Sequence, residues 1–275
     1  PKLLLLTLAF AVTTGSAMSP IGNPQNLLIA INGSLTNPFL VFFQYLFIPT
    51  VANLVLAYLL LRLFYKSQFQ QTAIEIPKEC ISDPTLANIS RISIILLLIL
   101  ILAKVLAVIV QSSQHFSLTY IAIFSALPVI LFSSRRWEIM KHIDWCTLVF
   151  FAAMFVLMDS VWRSGFFQSM MEESSLGFGS IPVILALSVF LSQIISNVPF
   201  VALFQPLLIN PSARDLMALA AGSTIAGNLF ILGAASNVII IQNAEKSGET
   251  LTFLDFARVG VPLTALNVFV YWIFL

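Results

Sequence analysis

Long apolar segments follow one another along almost the whole chain, and they constrain its fold more than any other feature. Each is long enough to cross the roughly 30 Å hydrocarbon core of a bilayer. They comprise residues 2–36, 38–64, 91–110, 116–133, 144–163, 180–210, 212–241 and 253–275. Charged residues make up only 9% of the 275 residues, whereas soluble domains carry about 25%. The sequence therefore predicts an all-α integral membrane protein with several spans.

The basic residues predict the orientation of these segments, because Lys and Arg gather on the cytoplasmic side of membrane proteins. Residues 65–90 and 134–143 are assigned to the cytoplasm, which leaves 110–115 and 164–179 outside. This choice places most of the 13 Lys and Arg residues on the inner side. Charged residues recur along 65–90, so we expect an aqueous connector there.

The orientation requires the segment 180–210 to enter and leave the membrane on the same side. Its apolar sequence is interrupted by Ser196, Asn197 and Pro199. A polar, proline-containing centre favours a re-entrant hairpin over a straight helix, because main chain that leaves the helix at membrane depth must be buried or hydrated. The alternative is a single kinked span, which would put Lys246 on the outer side.

An internal repeat becomes visible when the sequence is compared with itself at a shift of 211 positions. The stretch "PIGNPQNLLIA" then aligns with "ILGAASNVIII", which pairs Gly22 with Gly233. The same shift pairs Asn26 with Asn237 and places the long segment 38–64 on the last one. Since the charge pattern gives the two copies opposite orientations, we expect an inverted repeat of the kind that secondary transporters use. Chance similarity between two glycine-containing apolar helices is the alternative.

The repeated stretches also contain the residues least suited to a membrane helix. A helix broken at membrane depth exposes the free N–H groups of one half and the free carbonyls of the other. The N–H groups favour an anion, and the carbonyls favour a cation such as sodium. Close helix packing through small residues is the alternative, but it explains only the Gly residues and not the Pro and Asn residues. The predicted solute- and ion-binding residues are Ser16, Gly22, Asn23, Asn26, Ser196, Asn197, Gly227, Asn228, Gly233, Ser236 and Asn237.

Four motifs in order along the chain resemble the ion transporter superfamily. They are "GSAMSPIGNPQNLLIA", "FFAAMFVLMDSVWRSGFF", "SQIISNVPFVALFQPLL" and "GSTIAGNLFILGAASNVIIIQNAEKSG". The resemblance is strongest to the arsenite-pump membrane subunit and sodium/proton antiporter branches, with citrate and dicarboxylate carriers as relatives. It implies two inverted repeats, each with scaffold helices, a re-entrant hairpin and a discontinuous helix. It also implies a homodimer that works by an elevator-like movement.

The resemblance assigns residues and domain limits as well. It makes Ser196 and Asn197 the second hairpin tip, and it makes 22–26 and 233–237 the two broken-helix loops. The dicarboxylate carriers have Ser-Asn-Thr at this tip, and Val198 in place of the Thr weakens the case for a carboxylate substrate. The expected domains are 1–64 as the C-terminal part of repeat 1, 65–90 as the cytoplasmic connector, and 91–275 as repeat 2, with the hairpin 180–210, the broken helix 212–241 and the last span 253–275. The chain is then expected to be a fragment that lacks the first hairpin.

Asp159 is an ionisable residue within or near a span, and such residues are candidates for function by default. It could bind or relay a coupling ion or proton. The alternative is an interfacial carboxylate paired with Arg163, four residues further along the same helix.

Together these features predict a secondary active transporter in the cell (plasma or inner) membrane. Its substrate would be a small inorganic or organic anion such as arsenite or citrate, and an ion gradient would drive it. A sodium/proton antiporter is the alternative, and a non-transport membrane protein (an embedded enzyme or an assembly factor) is the second alternative. The sequence has no H-E-x-x-H motif and no His inside a span to assist a nucleophile, which argues against an enzyme.

The expected partners are the small ion substrate, the lipid bilayer and a second copy of the chain, with no nucleic acid. No cofactor is expected. The only metal considered is a sodium ion at the broken-helix loops, with sodium or a proton as the coupling ion. The sequence contains no nucleotide-binding loop, so ATP-driven pumping would need a separate ATPase subunit.

Overall fold

The computed structural model describes residues 2–33, 35–70, 81, 83–110, 117–172, 179–246 and 248–275. Within these ranges the secondary structure is helical and contains no strand. The helices are α1 (Lys2–Ser16), α2 (Pro24–Asn32), α3 (Pro38–Phe64), α4 (Pro84–Ile109), α5 (Leu118–Phe132), α6 (Arg136–Lys141), α7 (Trp145–Arg163), α8 (Phe166–Glu172), α9 (Ile181–Ile195), α10 (Asn197–Phe204), α11 (Ala213–Ile225), α12 (Ala235–Lys246) and α13 (Phe253–Phe274).

The predicted all-α membrane architecture is confirmed. In the described part of the chain, four helices are long and apolar enough to cross a bilayer, namely α3, α4, α7 and α13. The helices that flank the predicted breaks and form the predicted hairpin are shorter. The fold therefore combines full-length spans with helices that end inside the apolar part of the chain.

Two details differ from the sequence-based boundaries. Helix α4 begins at Pro84, so the helical structure starts inside the segment 65–90 that we predicted as a connector. Asp83 explains this start, because its Oδ1 accepts the main-chain N–H of Leu86 at 2.9 Å as a helix cap does. The short helix α8 lies in the predicted outer loop 164–179. Residues 71–80, 82, 111–116 and 173–178 of the predicted loops lie outside the described ranges.

The chain divides into two compact units, one formed by 1–71 with 153–275 and the other by 72–152. In the second unit α4 packs on α5, and Arg135 pairs with Glu138 at 2.8 Å. The first unit contains both interrupted helices and the hairpin, so the remaining description concerns this unit.

Helices α3 and α13 pack against each other in opposite directions. The Thr50 hydroxyl, in the middle of α3, hydrogen-bonds the Tyr271 hydroxyl near the end of α13 at 2.7 Å. At the other end of the pair, the Arg258 guanidinium lies 5.3 Å from the ring centre of Phe64, the last residue of α3. These two contacts show that α3 and α13 are antiparallel. An inverted repeat would also make the last spans of its two copies antiparallel.

The start of α1 packs against the end of the α3–α13 pair that contains Phe64 and Arg258. Lys2 Nζ lies 2.6 Å from the Asp255 carboxylate in the first turn of α13. One layer deeper, the rings of Phe10 and Phe256 are 4.8 Å apart. The predicted orientation places this end in the cytoplasm. The buried core beneath it consists of Leu6, Ala9, Phe10, Ala57, Leu61, Leu251, Phe256, Val259 and Leu263.

Helices α9 and α10 form the hairpin that the sequence predicted. Near the end of α9, Gln193 Nε2 donates to a main-chain carbonyl just beyond the end of α11, at 2.8 Å. Beyond α10, Gln205 and Leu216 both lie beside Gly33, so the chain has returned to the start of α11. Ser196 makes the reversal with a φ of +69°, in the left-handed region. The hairpin tip therefore lies at the level where α11 ends.

The element boundaries follow the shift of 211 positions seen in the sequence. Helix α1 begins at Lys2 and α11 at Ala213. Helix α2 begins at Pro24 and α12 at Ala235. Packing follows the same pattern, because α1 packs on α3 and α12 while α11 packs on α13 and α2.

Gly260 in α13 provides a test of how closely this helix approaches the second break. A Cβ at Gly260 would overlap the carbonyl oxygen of Asn228, whereas a Cβ at Gly15 in α1 would meet nothing within 4 Å. We expect Gly260→Ala to destabilise the protein by about 1–3 kcal/mol through overpacking. Gly15→Ala is the matched control and should be neutral or slightly stabilising. Thermal unfolding of the purified full-length protein in detergent measures both, and equal unfolding temperatures would contradict the packing described here.

Candidate solute-binding site

The first break is held by the side chain of Asn26, in the first turn of α2. Its Nδ2 donates to the carbonyl oxygens of Ser16, Ala17 and Ser19 at 3.2, 3.3 and 3.1 Å. Ser16 is the last residue of α1, and Ala17 and Ser19 follow it in the loop, so none of these carbonyls has the partner that a continuing helix would supply. The Asn26 side chain is fully buried, so it replaces the water that such carbonyls would otherwise bind.

Asn23 completes the first break. Its Oδ1 accepts the main-chain N–H of Asn26 at 2.8 Å and so caps α2, which starts with Pro24 at a position where no N–H is needed. Its Nδ2 lies 3.1 Å from Ser16 Oγ and 3.0 Å from Thr224 Oγ1. Thr224 Oγ1 in turn donates to Asn26 Oδ1 at 3.3 Å. The polar atoms of this break are therefore bonded to one another.

The second break is held by an asparagine in the corresponding place. After α11 the chain makes two short 3₁₀ turns, Ala226–Asn228 and Ile231–Gly233, before α12 begins. Asn237 Nδ2 donates to the Gly227 carbonyl at 2.7 Å, which matches the bond from Asn26 to Ser16 under the shift of 211 positions. Gln193 of the hairpin donates to the carbonyl of the neighbouring Ala226 at 2.8 Å.

Hydrogen bonds between side chains connect the two breaks. Asn228 Nδ2, in the second break, lies 3.0 Å from Thr14 Oγ1 at the end of α1. Asn23, in the first break, reaches Thr224 at the end of α11. The C-terminal ends of α1 and α11 therefore meet, and the N-terminal ends of α2 and α12 start from the same region. Anions favour helix N-termini and cations favour C-terminal carbonyls, so the region can accept either charge.

Two glycines allow the main chain to close up at the breaks. A Cβ at Gly22 would overlap the carbonyl oxygen of Ser16, and a Cβ at Gly233 would lie 2.7 Å from the carbonyl oxygen of Ala226. Both contacts are closer than a side chain permits. The paired glycines of the sequence repeat therefore have the same packing function in both breaks.

The hairpin tip carries a further buried amide. Asn197, at the start of α10, is 7% exposed, whereas Ser196 is exposed. Several buried side-chain atoms near the breaks and on the hairpin have no hydrogen-bond partner among the described residues, and each costs about 1–3 kcal/mol if left unbonded. They are Thr13 Oγ1, Ser188 Oγ, Ser192 Oγ, Asn197 Oδ1, Asn228 Oδ1 and Asn237 Oδ1. Each of these atoms has hydrogen-bonding capacity that the described residues leave unused.

The structure groups most of the predicted site residues around the two breaks. Ser236 lies at the partly exposed start of α12 without an assigned contact. Asp159 pairs with Arg163 at 2.8 Å, with both side chains largely exposed, as in the interfacial alternative. The residues brought to the breaks are Ser16, Gly22, Asn23, Asn26, Gly227, Asn228, Gly233 and Asn237.

Sequence reasoning missed four residues that contact the breaks. Thr13, Thr14 and Thr224 lie in unbroken helical sequence and look like ordinary small residues of a span. Gln193 lies inside the quoted motif "SQIISNVPFVALFQPLL", three residues before Ser196, and was not singled out there. A signal for two of them was present, because the shift of 211 positions pairs Thr13 with Thr224.

Comparison with known proteins decides what kind of membrane protein carries this pair of breaks. The family described as citrate transporter (CitMHS) matches residues 1–216, which is most of the chain. The chain belongs to the citrate transporter family. It is therefore a multi-pass membrane protein of a transporter family, as expected from the sequence, and the resemblance to ion transporter permeases is confirmed.

Several relatives of this citrate transporter family member carry transporter or membrane-protein names. It is 31% identical to the P protein of Mus musculus over 174 residues, covering 56% of this chain and 21% of the relative. It is 25% identical to a 46 kDa membrane protein of Mycobacterium leprae over 297 residues, covering 98% and 66%. It is 28% identical to an uncharacterized transporter of Mycobacterium tuberculosis over 283 residues, covering 96% and 64%. The chain thus spans less than two thirds of the length of each of these relatives.

Asn26 tests the hydrogen bonding of the first break. We expect Asn26→Asp to destabilise the protein by about 3 kcal/mol, because a carboxylate would place an oxygen among three carbonyl oxygens and lose the donors. The matched control is Asn243→Asp on the exposed face of α12, where the side-chain oxygen faces Lys246 at 3.4 Å. Thermal unfolding of the full-length protein measures both variants. A stable Asn26→Asp protein would contradict the role given to this amide.

Proposed function

We propose that the protein is a secondary active transporter that moves a small anion, with citrate and arsenite as the first candidates. The observation that carries the proposal is the meeting of two interrupted helices and a hairpin tip in one unit. Unpartnered side-chain oxygens are buried in that region. Irregular main chain is tolerated at membrane depth where it lines a binding cavity, and paired broken helices mark the substrate site of many secondary transporters.

The charge pattern of the region supports an anion bound together with a cation. Helix α12 begins with Ala235, and Ala234 before it has no side-chain oxygen that could cap the helix. Its first N–H groups and its partial positive charge favour an anion. The carbonyls that end α11 lie next to it and favour a cation. A cotransported pair of ions would satisfy both, with an ion gradient as the energy source.

The antiparallel packing of α3 and α13, with matched boundaries in α1–α2 and α11–α12, supports an inverted-repeat mechanism. Movement of one repeat or bundle against the other would expose the site to each side of the membrane in turn. An elevator-like movement in a homodimer is the arrangement that the superfamily resemblance implies. Dimerisation, the coupling ion and the limits of the two repeats are part of this proposal.

A sodium/proton antiporter is the second candidate, because the six unpartnered side-chain atoms named above are oxygens and oxygen ligands suit hard cations. Substrate counterflow with the full-length protein in proteoliposomes separates the two candidates. Vesicles loaded with citrate, arsenite, phosphate or sodium are tested with and without a pH gradient. Counterflow of citrate or arsenite supports the anion transporter. Sodium flux that depends on the pH gradient, without anion flux, replaces it with the antiporter, and no flux of any solute contradicts both.

The hairpin tip gives a variant for the same assay. We expect Asn197→Ala to lower the initial rate of anion counterflow by about tenfold or more, because the loss of one buried polar contact to the solute is worth 1.4 kcal/mol or more. Asn243→Ala, on the exposed face of α12, is the matched control and should transport like the unaltered protein. Equal rates for the two variants would remove the tip from the site.

A further inference from the structure

A cavity of about 640 Å³ lies where α2 ends and where the hairpin returns to α11. Asn32 and Gly33 line it from the end of α2, and Gln205 and Asn210 line it from the segment between α10 and α11. Gln205 follows Ser196 of the hairpin tip by nine positions, which is about 13 Å along a helix. The orientation predicted from the basic residues places this end of the hairpin on the outer side. The cavity is therefore separate from the proposed solute site at the breaks.

Gln205 supplies a buried polar group that lacks a partner. It is 8% exposed, and its side chain makes no hydrogen bond within the described part of the chain. A Cβ built at Gly33 would lie 3.6 Å from Gln205 Nε2, so this nitrogen lies beside a second residue of the cavity wall. Gln193, on the other arm of the same hairpin, donates instead to two main-chain carbonyls. Burying an amide without a partner is costly, and a ligand that bonds the amide removes the cost.

The turn that leads into α11 forms a further part of the cavity wall. Asn210 has a φ of +50°, in the left-handed region that asparagine adopts more readily than most residues. Beyond it, Ser212 and Asp215 form a capping box at the first turn of α11. Because Asp215 already supplies a carboxylate at this helix start, the N-terminus of α11 does not favour an anion in the cavity.

The lining of the cavity determines which ligands it can bind. Within the described ranges it contains no charged and no aromatic residue. A charged ligand would lose its hydration without gaining an opposite charge, and a flat aromatic ligand would find no ring to stack on. The polar part of the lining consists of three carboxamides, each with donors and an acceptor, namely Asn32, Gln205 and Asn210. The apolar part includes Pro206, Leu208 and Pro211. A ligand with several hydroxyl groups on a ring of aliphatic carbons matches both parts.

We propose that this cavity is a binding site for a neutral saccharide of one or two rings. Its hydroxyl groups hydrogen-bond the three carboxamides, and the C–H face of a ring packs on the proline side chains. The cavity volume lies within the roughly 300–1,000 Å³ range of small-molecule sites. The saccharide is either free in the outer medium or the headgroup of a glycolipid in the outer leaflet, because both present the same hydroxyl groups.

The proposed saccharide connects elements of the two predicted repeats. Asn32 belongs to α2 of the first copy, and Gln205 belongs to the hairpin of the second. A saccharide bonded to both holds the end of α2 against the returning arm of the hairpin. This site goes beyond the proposed transport function, because it lies at the outer end of the hairpin and its ligand is not the transported anion.

Saturable binding of radioactive glucose and maltose tests the free sugar as the source. The full-length protein is reconstituted in phosphatidylcholine nanodiscs, because glycoside detergents carry a sugar headgroup that would compete. Native mass spectrometry tests the glycolipid as the source, using nanodiscs with equal amounts of glucosyl diacylglycerol and phosphatidylcholine. We expect saturable binding of at least one sugar, or retention of the glycolipid in preference to phosphatidylcholine. Citrate should not compete in either assay, because the cavity offers it no positive charge.

Gln205→Met is the decisive variant, because it keeps the length of the side chain and removes its amide. We expect it to weaken the apparent Kd for the sugar by about tenfold or more, a change of at least 1.4 kcal/mol, and to remove the preference for the glycolipid. Without sugar it should unfold at the same or a higher temperature, since a buried amide without a partner is removed. Gln242→Met, on the exposed face of α12, is the matched control and should bind like the unaltered protein. Ala202→Leu, which enlarges a side chain at the cavity wall, should block binding.

Two results would overturn the saccharide site. One is the absence of both saturable sugar binding and glycolipid preference in the unaltered protein. The other is binding that either Gln205→Met or Ala202→Leu leaves undiminished. These assays measure binding without an ion gradient, so they are independent of the counterflow experiment. Sugar binding without anion flux would keep the site and remove the anion transporter, whereas anion flux without sugar binding would keep the transporter and remove the site.

Discussion

The structure of the first unit depends on how its unpaired main-chain carbonyls are hydrogen-bonded. These carbonyls lie in an apolar part of the chain and have no partner within a helix. At the ends of α1 and α11 such carbonyls face the interior, where water cannot solvate them freely. Asn26, Asn237 and Gln193 donate side-chain N–H groups to these carbonyls. Two glycines then let the loops approach closely enough for these bonds to form. Without the donors, the interrupted helices would be too costly to bury.

The same constraint explains why the two interrupted helices and the hairpin lie together. Each break forms hydrogen bonds with residues of other elements. The first break bonds Thr224, and the second bonds Thr14 and Gln193. Neither break is satisfied by its own helix alone. A region assembled in this way has polar groups at its centre and apolar helices around it, which is the composition that a solute site in a membrane requires.

Much of the fold could be predicted from the sequence, because hydropathy and breaker residues act locally. The span α3, the interruption before Pro24 and the reversal at Ser196 all follow from the residues at those positions. The start of α4 was harder to predict, because the charged sequence around it indicated a loop. The Asp83 side chain caps the helix and lets it begin within that charged segment. The role of Asn26 was only half visible. Its place in a break was clear from the sequence. The structure shows that its side-chain Nδ2 donates to the main-chain carbonyls of the same break.

The sequence by itself determined that this protein is a helical membrane protein with two similar polar interruptions, because composition and local breaker residues suffice for that. Only the tertiary structure decided which polar atoms are bonded and which are left open. Thr13 and Thr224 are the same residue in equivalent positions, yet among the described residues Thr224 Oγ1 has hydrogen-bond partners and Thr13 Oγ1 has none. The reason is that hydrogen bonding depends on what lies opposite a side chain, and here the partners are about two hundred positions away along the chain.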